Sequence, residues 1–494
     1  MSQRGAIAAG HPQTARAGAD VLRAGGNAVD AGTAAVLASL AAEPGLTSLG
    51  GGGYMMVAAP GREPVLIDFF VEAPGRGADP GKREELVPIG VTFGEVVQVF
   101  NTGPASVGTY GVPAGVCAAS ERFGSLPLAD LAAPAAALAR AGVELNAQQA
   151  YVLELLQPIL ESTRESASVF APEGRLLREG EPLRQPELAE SLERLGREGV
   201  EPFYRGDVAA AVAEWLEGRG AMLTRADLAD YRALDREPLR RAYRGREVLV
   251  NPPPSAGGIL IAYALGLLED APGPPRPVDL VAAMERAQAQ RTAEFLAGLD
   301  DEGFLERFLE PPGGLGSTTH ISVLDADGMA CSVTCSNGEG SGIVVPGTGV
   351  HLNNMLGEQD LNPLGFHRHP PGRRMPSMMC PTLVLHDGAP AIVLGSGGSN
   401  RIRSAILQAI VGVVDRGAGI ADAVETPRLH FEDGVVYAEP GADLGGVEDR
   451  GHAVSRFREL NLFFGGVHAV QRRPGTGELE GGGDPRRGGS VVVV

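Results

Sequence analysis

Late in the chain, two apolar runs fold back on themselves around Asp-Gly. STTHISVLDADGMACSVTCS (317–336) alternates polar and apolar positions on both sides of Asp327-Gly328, and PTLVLHDGAPAIVLGS (381–396) repeats the device at Asp387-Gly388. Asp-Gly between alternating segments is a hairpin signal, because such turns need residues that tolerate positive φ. Earlier, the pattern is different. Residues 14–24 and 28 to about 42 read as helices, the first stopped by Gly25-Gly26 and the second capped by Asn27. Strands are predicted in LGGGGYMMV (Leu49 to Val57) and VLIDFF (Val65 to Phe70). Residues 126 to 240 are mainly helical in character, and two further helices end near Glu269 and Ala297. A helix from about Arg401 to Arg416 and short strands up to the terminal SVVVV complete the chain. Helices first and hairpins later, without steady βαβ alternation, predict antiparallel sheet covered by helices, an α+β fold.

Composition narrows the function. The 494 residues are 44% hydrophobic, enough for a sizeable core, and the 70 Gly and 37 Pro are scattered through apolar segments as turns. Net charge is −19 and aromatics are 5%, with no basic stripe, so nucleic acid is not an expected partner. Lys82 is the single lysine, which leaves little place for Schiff-base or P-loop lysine chemistry. Neither a signal peptide nor a membrane-length apolar run is evident, and the cytoplasm is the expected compartment. Cys117, Cys331, Cys335 and Cys380 show no C-x-x-C spacing and read as buried free thiols. Cys331 and Cys335 would share one face of a strand, too far apart along it to bridge comfortably.

Three constellations could carry chemistry. The run Gly50 to Gly53 lacks the phosphate-loop pattern and reads as a structural turn. Gly316-Ser317-Thr318-Thr319-His320 places hydroxyls and an imidazole at the border between the helical and hairpin halves; by itself it is an ordinary strand start. Gly395-Ser396-Gly397-Gly398-Ser399-Asn400, between a strand and a helix, could offer backbone N–H groups to an oxyanion or form a plain tight turn.

In order, GHPQTARAGADVLRAGGNAVDA, EPGLTSLGGGGYMMV, PPPSAGG, TTHISVLDADGMACSVT with PGTGVHLNN, PTLVLHDG, GSGGSNRI and DPRRGG resemble the γ-glutamyltransferase family from end to end, except across roughly 130–220. The resemblance implies an N-terminal-nucleophile hydrolase with a four-layer αββα fold. It also implies a precursor that cuts itself between Ser317 and Thr318 into a large subunit (1–317) and a small subunit (318–494), intertwined in one domain. Thr318 would be the nucleophile. Its freed α-amine, with a pKa near ~8, would serve as the base. Ser336 matches a second threonine that hydrogen-bonds the nucleophile. Asn337 lies next to the position of a substrate-binding asparagine, across a two-residue gap. Glu358 matches an aspartate that holds the substrate α-amine, with Asp360 near enough to compete. Ser377 matches the first of two carboxylate-binding serines, and Met378 stands at the second. Gly397 and Gly398 match, within one residue, the oxyanion-hole glycines.

Upstream the chain departs from the family. Asp68-Phe69-Phe70-Val71-Glu72 puts Phe70 where the family has an arginine that clamps the substrate α-carboxylate, and Arg76 is a candidate stand-in. No other side chain makes that planar fork, so the change bears on glutamyl recognition. The expected activity is hydrolysis or transfer of a γ-glutamyl group from a small amide such as glutathione. The alternatives are an acylase resembling the glutaryl-cephalosporin acylases, or a relative that binds a small molecule without processing. No metal or organic cofactor is implied, and further self-association is left open.

Overall fold

The computed structural model describes residues 3–93, 96–289, 295, 299, 318–362 and 365–494. The chain opens with β1 (Gly5–Ala9), α1 (Pro12–Arg23), α2 (Ala28–Ala42), β2 (Gly52–Ala58) and β3 (Val65–Phe69). Next come α3 (Val112–Phe123), α4 (Leu128–Ala141), β4 (Leu234–Arg236), β5 (Leu239–Tyr243), β6 (Arg246–Val250) and α5 (Ala256–Glu269). Beyond residue 318 lie β7 (Thr319–Asp325), β8 (Ala330–Ser336), β9 (Thr382–His386) and β10 (Ala389–Gly397). They are followed by α6 (Arg401–Val414), α7 (Ile420–Glu425), β11 (Gly466–Arg472), β12 (Leu479–Gly483) and β13 (Ser490–Val493).

Two antiparallel sheets form the centre. One has the order β13-β1-β7-β8-β2-β3-β4, the other β12-β11-β10-β9-β6-β5. Period-two alternation assigns their faces. Ala6, Ala8, Tyr54, Met56, Leu66 and Leu324 turn to the core shared with the second sheet. Their neighbours Ile7, Ala9, Met55, Val57, Ile67 and Val323 turn to the helical layer of α1 to α4. On the far side, α5, α6 and α7 cover the second sheet, completing αββα layering.

The helix layer is anchored by its caps. Asn27 accepts from the Val29 and Asp30 amides while Asp30 accepts from the Asn27 amide, a closed capping box. Asp30 also receives the Ser125 hydroxyl and amide, which ties α2 to the loop after α3. All 15 residues of α2 are buried, as its alanine-rich, charge-poor sequence allows. At the second hairpin Asp387 and Gly388 both have positive φ, +51° and +79°, the requirement of a primed turn. At the first hairpin only Gly328 does.

Some expectations are adjusted. The alanine-rich β1 was not foreseen as a strand, and the mainly helical stretch also supplies β4 to the first sheet. The helix expected to end near Ala297 is described over Pro277–Ala289; residues 290–294 and 296–297, and the proposed cut site at Ser317, lie outside the described residues. All four cysteines are free and buried, with Cys331 and Cys335 on β8 facing the helices.

Candidate active site

Thr318 stands at the entry to β7, in the middle of the seven-stranded sheet. The β7–β8 register pairs Thr319 with Cys335 and His320 with Thr334. Continued by one residue, it sets Thr318 opposite Ser336. Alternation then sends Thr318 to the inter-sheet side and Thr319 to the helices. Thr318 and Ser336 both line one narrow cleft, whose other walls include Phe70, Met355, Glu358, Ser377, Met378 and Ser399.

The backbone of Thr318 is held from two sides. Its carbonyl accepts from Arg487 Nη1 at 3.3 Å. Gly397 packs directly against the same carbonyl: a Cβ built there would lie 2.9 Å from the carbonyl carbon and closer still to the oxygen. Only glycine allows that approach. Arg487 is buried, donates also to the Leu462 carbonyl, and has its guanidinium pKa pushed down to about 10, first by burial and then by Arg401.

Thr319 is engaged elsewhere. Its hydroxyl donates to Glu43, which also accepts from Thr14 Oγ1 at 2.7 Å. Burial raises the Glu43 carboxyl above its ordinary range, partly offset by the two hydroxyls and by Arg487. His320 is buried between the sheets, with Nδ1 2.8 Å from Thr334 Oγ1 and Nε2 2.9 Å from Ser322 Oγ. Burial, with His468 nearby, holds the ring well below its usual pKa. Both ring nitrogens are taken up by these hydroxyls, the arrangement of a structural core histidine.

The other predicted residues divide. Ser377 lines the cleft, and its Oγ accepts from the Met379 amide, leaving its own O–H to donate. Met378 lines it too, pressed against the start of α5, where Gly257 has no room for a side chain. Glu358 is buried in the cleft wall with Oε1 lacking a hydrogen-bond partner. Its carboxyl is raised well above the usual range by burial, then by Glu339 and Asp360. Asp360, the competitor for that role, accepts the Ser399 hydroxyl at 2.9 Å. Gly398 has φ +107° and carries the chain from Gly397 to Ser399, itself at φ +65°. Asn337 is not brought into the cleft lining: its Oδ1 accepts from Ser48 Oγ at 2.6 Å. Arg76 is no stand-in for the missing arginine, because it pairs with Glu72, Asp227 and Asp230.

Glu43 and Arg487 are the residues that sequence reasoning did not single out. Each had a signal: a lone acid ending an apolar helix, and an arginine in DPRRGG. Among the described residues no group of three or more His, Cys, Asp or Glu could hold a metal, and no helix is long and apolar enough to cross a membrane.

The sequence model of the Gamma-glutamyltranspeptidase family matches residues 14–299 and 306–494. The chain is 30% identical over 548 aligned positions to the glutathione hydrolase proenzyme of Escherichia coli strain K12, covering 98% of this chain and 91% of that protein. It is 32% identical over 526 positions to the acylase ACY 1 proenzyme of Pseudomonas sp. strain SE83, covering 99% and 94%. The crystal structure of a cephalosporin acylase from Bacillus halodurans superposes with a TM-score of 0.84 at 26% identity, covering 99% of this chain and 96% of that one. Layering, cleft and matches agree over nearly the whole length: the chain belongs to the gamma-glutamyltranspeptidase family and is an enzyme of the N-terminal-nucleophile hydrolase type.

Proposed function

We propose that the chain cuts itself between Ser317 and Thr318 and then uses Thr318 to hydrolyse small amides or transfer their acyl groups. In the first step Thr318 Oγ attacks the Ser317 carbonyl carbon and the peptide C–N bond breaks. Water then hydrolyses the resulting ester, releasing the Ser317 carboxylate and restoring the hydroxyl. The freed α-amine takes the hydroxyl proton when Oγ attacks the substrate amide. The amine product leaves with a proton, and water or a second amine releases the acyl group.

The observation that carries this reading is the placement of Thr318. Its residue lines the cleft opposite Ser336, while its carbonyl is held by Arg487 against Gly397. Names of relatives offer two acyl classes, the γ-glutamyl group of glutathione and the substrates of acylases. The apolar wall at Phe70 and Met378 favours the acylase side. Strands from both sides of the cut, 1–317 and 318–494, share each sheet, which supports two subunits in one domain. The cytoplasm remains the proposed compartment, supported by four unpaired thiols.

Denaturing gels and mass spectrometry test the cut. Wild-type protein yields two chains, the smaller beginning at Thr318. Thr318→Ala stays whole, and Thr319→Ala is still cut because its hydroxyl serves Glu43. Cleavage of Thr318→Ala with loss in Thr319→Ala moves the nucleophile by one residue. A wild-type chain that stays whole yet active sinks the mechanism.

A further inference from the structure

We propose that the acyl pocket beside Thr318 selects an acyl group that carries an amine and an apolar body but no carboxylate, so that γ-glutamyl and glutaryl groups are poor donors. The inference rests on Thr318 being the nucleophile of this cleft.

Among the described lining residues there is no arginine, lysine or histidine, and Glu358 is the one ionisable acid. Phe70 occupies the clamp position and is buried, stacked on Tyr54 with ring centroids 5.4 Å apart. Three buried guanidiniums lie nearby, outside the cleft lining. Arg374 lies behind Phe70, donating to its carbonyl and to the Tyr231 hydroxyl, with Asp68 and Glu72 as counter-charges. Arg401 donates from Nε to the Phe463 carbonyl and stacks on that ring at 4.5 Å, while its buried Nη1 has no hydrogen-bond partner. Arg487 holds Thr318. None of the three lines the cleft.

A substrate carboxylate entering this pocket would shed its water and meet only hydroxyls. A serine hydroxyl gives one donor where an arginine gives a charged fork. It would also approach Glu358, behind which stand Glu339 and Asp360. Two carboxylates in a buried site repel and cannot both ionise cheaply. An ammonium group meets the opposite situation. Glu358 Oε1 has no hydrogen-bond partner, and a buried unsatisfied carboxyl oxygen is costly until a donor reaches it. Met355, Leu361, Met378 and Ile402 supply apolar surface for the rest of the acyl chain.

Four para-nitroanilides isolate the two charges: γ-glutamyl has amine and carboxylate, glutaryl only the carboxylate, γ-aminobutyryl only the amine, and butyryl neither. With protein verified as cut before Thr318, kcat/KM for γ-aminobutyryl should exceed that for γ-glutamyl by about 100-fold, the scale of one uncompensated charged hydrogen bond. Butyryl should exceed glutaryl similarly. Glu358→Gln should bring the ratio of γ-aminobutyryl to butyryl down toward one, and Phe70→Arg should raise γ-glutamyl relative to γ-aminobutyryl. Equal or better turnover of the carboxylate-bearing substrates overturns the inference and leaves the hydrolase assignment standing. No turnover of any of the four by the cut protein overturns the assignment, and this inference with it.

Discussion

Gly397→Ala probes the hold on the nucleophile. Gly397 ends β10 in register with Gly466, and its φ is not in the left-handed region, so the substitution adds a methyl group and no backbone strain. That methyl would lie 2.9 Å from the Thr318 carbonyl carbon, where ordinary contact begins at 3.4 Å, and nearer still to the oxygen. The neighbour is backbone, which cannot swing away as a side chain would. Relief needs the β10 end and Thr318 to separate by about 1 Å, and a displacement of that size can cost about 100-fold in rate. Overpacking of this kind destabilises by about 1–3 kcal/mol. Gly388→Ala is the control: it sits at φ +79° with nothing within 4 Å of its would-be Cβ, so it costs about 1–2 kcal/mol through conformation alone. Both variants should melt lower. Only Gly397→Ala should show slowed self-cleavage on time-resolved gels and slowed anilide turnover. If Gly397→Ala is cut and turns over within about twofold of wild type, Gly397 does not position Thr318 and the close packing is incidental.

Other perturbations test the surroundings. Arg486 and Glu439 form a fully buried pair, with Arg486 also 3.1 Å from Asp484; Glu439→Ala should cost about 3–5 kcal/mol in chemical denaturation, because it takes one of two carboxylates from a buried guanidinium and leaves the buried Arg428 amide without its acceptor. Replacing both partners by Met should recover most of that loss, and an unchanged midpoint in Glu439→Ala would count against the pair's importance. Glu43 has a folded-state pKa raised above 4.5, so the folded protein binds this proton more tightly than the unfolded chain. Its contribution is therefore present below pH 4.5 and is lost as pH rises through the higher folded value. Glu43→Gln should remove that component, so variant stability relative to wild type should climb with pH above 4.5; a pH-independent difference would refute the assignment.

The hairpins were legible because their signal is local: alternation on both sides of Asp-Gly fixes face and turn together. Thr318 was legible only through the ordered motifs, since a threonine at a strand start has no distinguishing local chemistry. Strand β1 was hidden because GAIAA buries only small side chains and shows no period. Glu43 and Arg487 were hidden for a different reason. They meet the nucleophile region from 276 residues before Thr319 and 169 residues after Thr318, through contacts that only the closed sheets bring together. Asn337 shows the same limit in reverse: next in sequence to Ser336, it turns to Ser48 and away from the cleft.

The order of strands in the first sheet bears on how a cut chain would behave. β1 is flanked by β13 and β7, both from beyond residue 318. Neither fragment could therefore keep its hydrogen-bond ladders satisfied on its own. Dilution should not part the two folded chains, and they should melt in one transition whose midpoint rises with protein concentration, because unfolding is also dissociation. Fragments made separately would each carry bare strand margins and would clump before they could find one another.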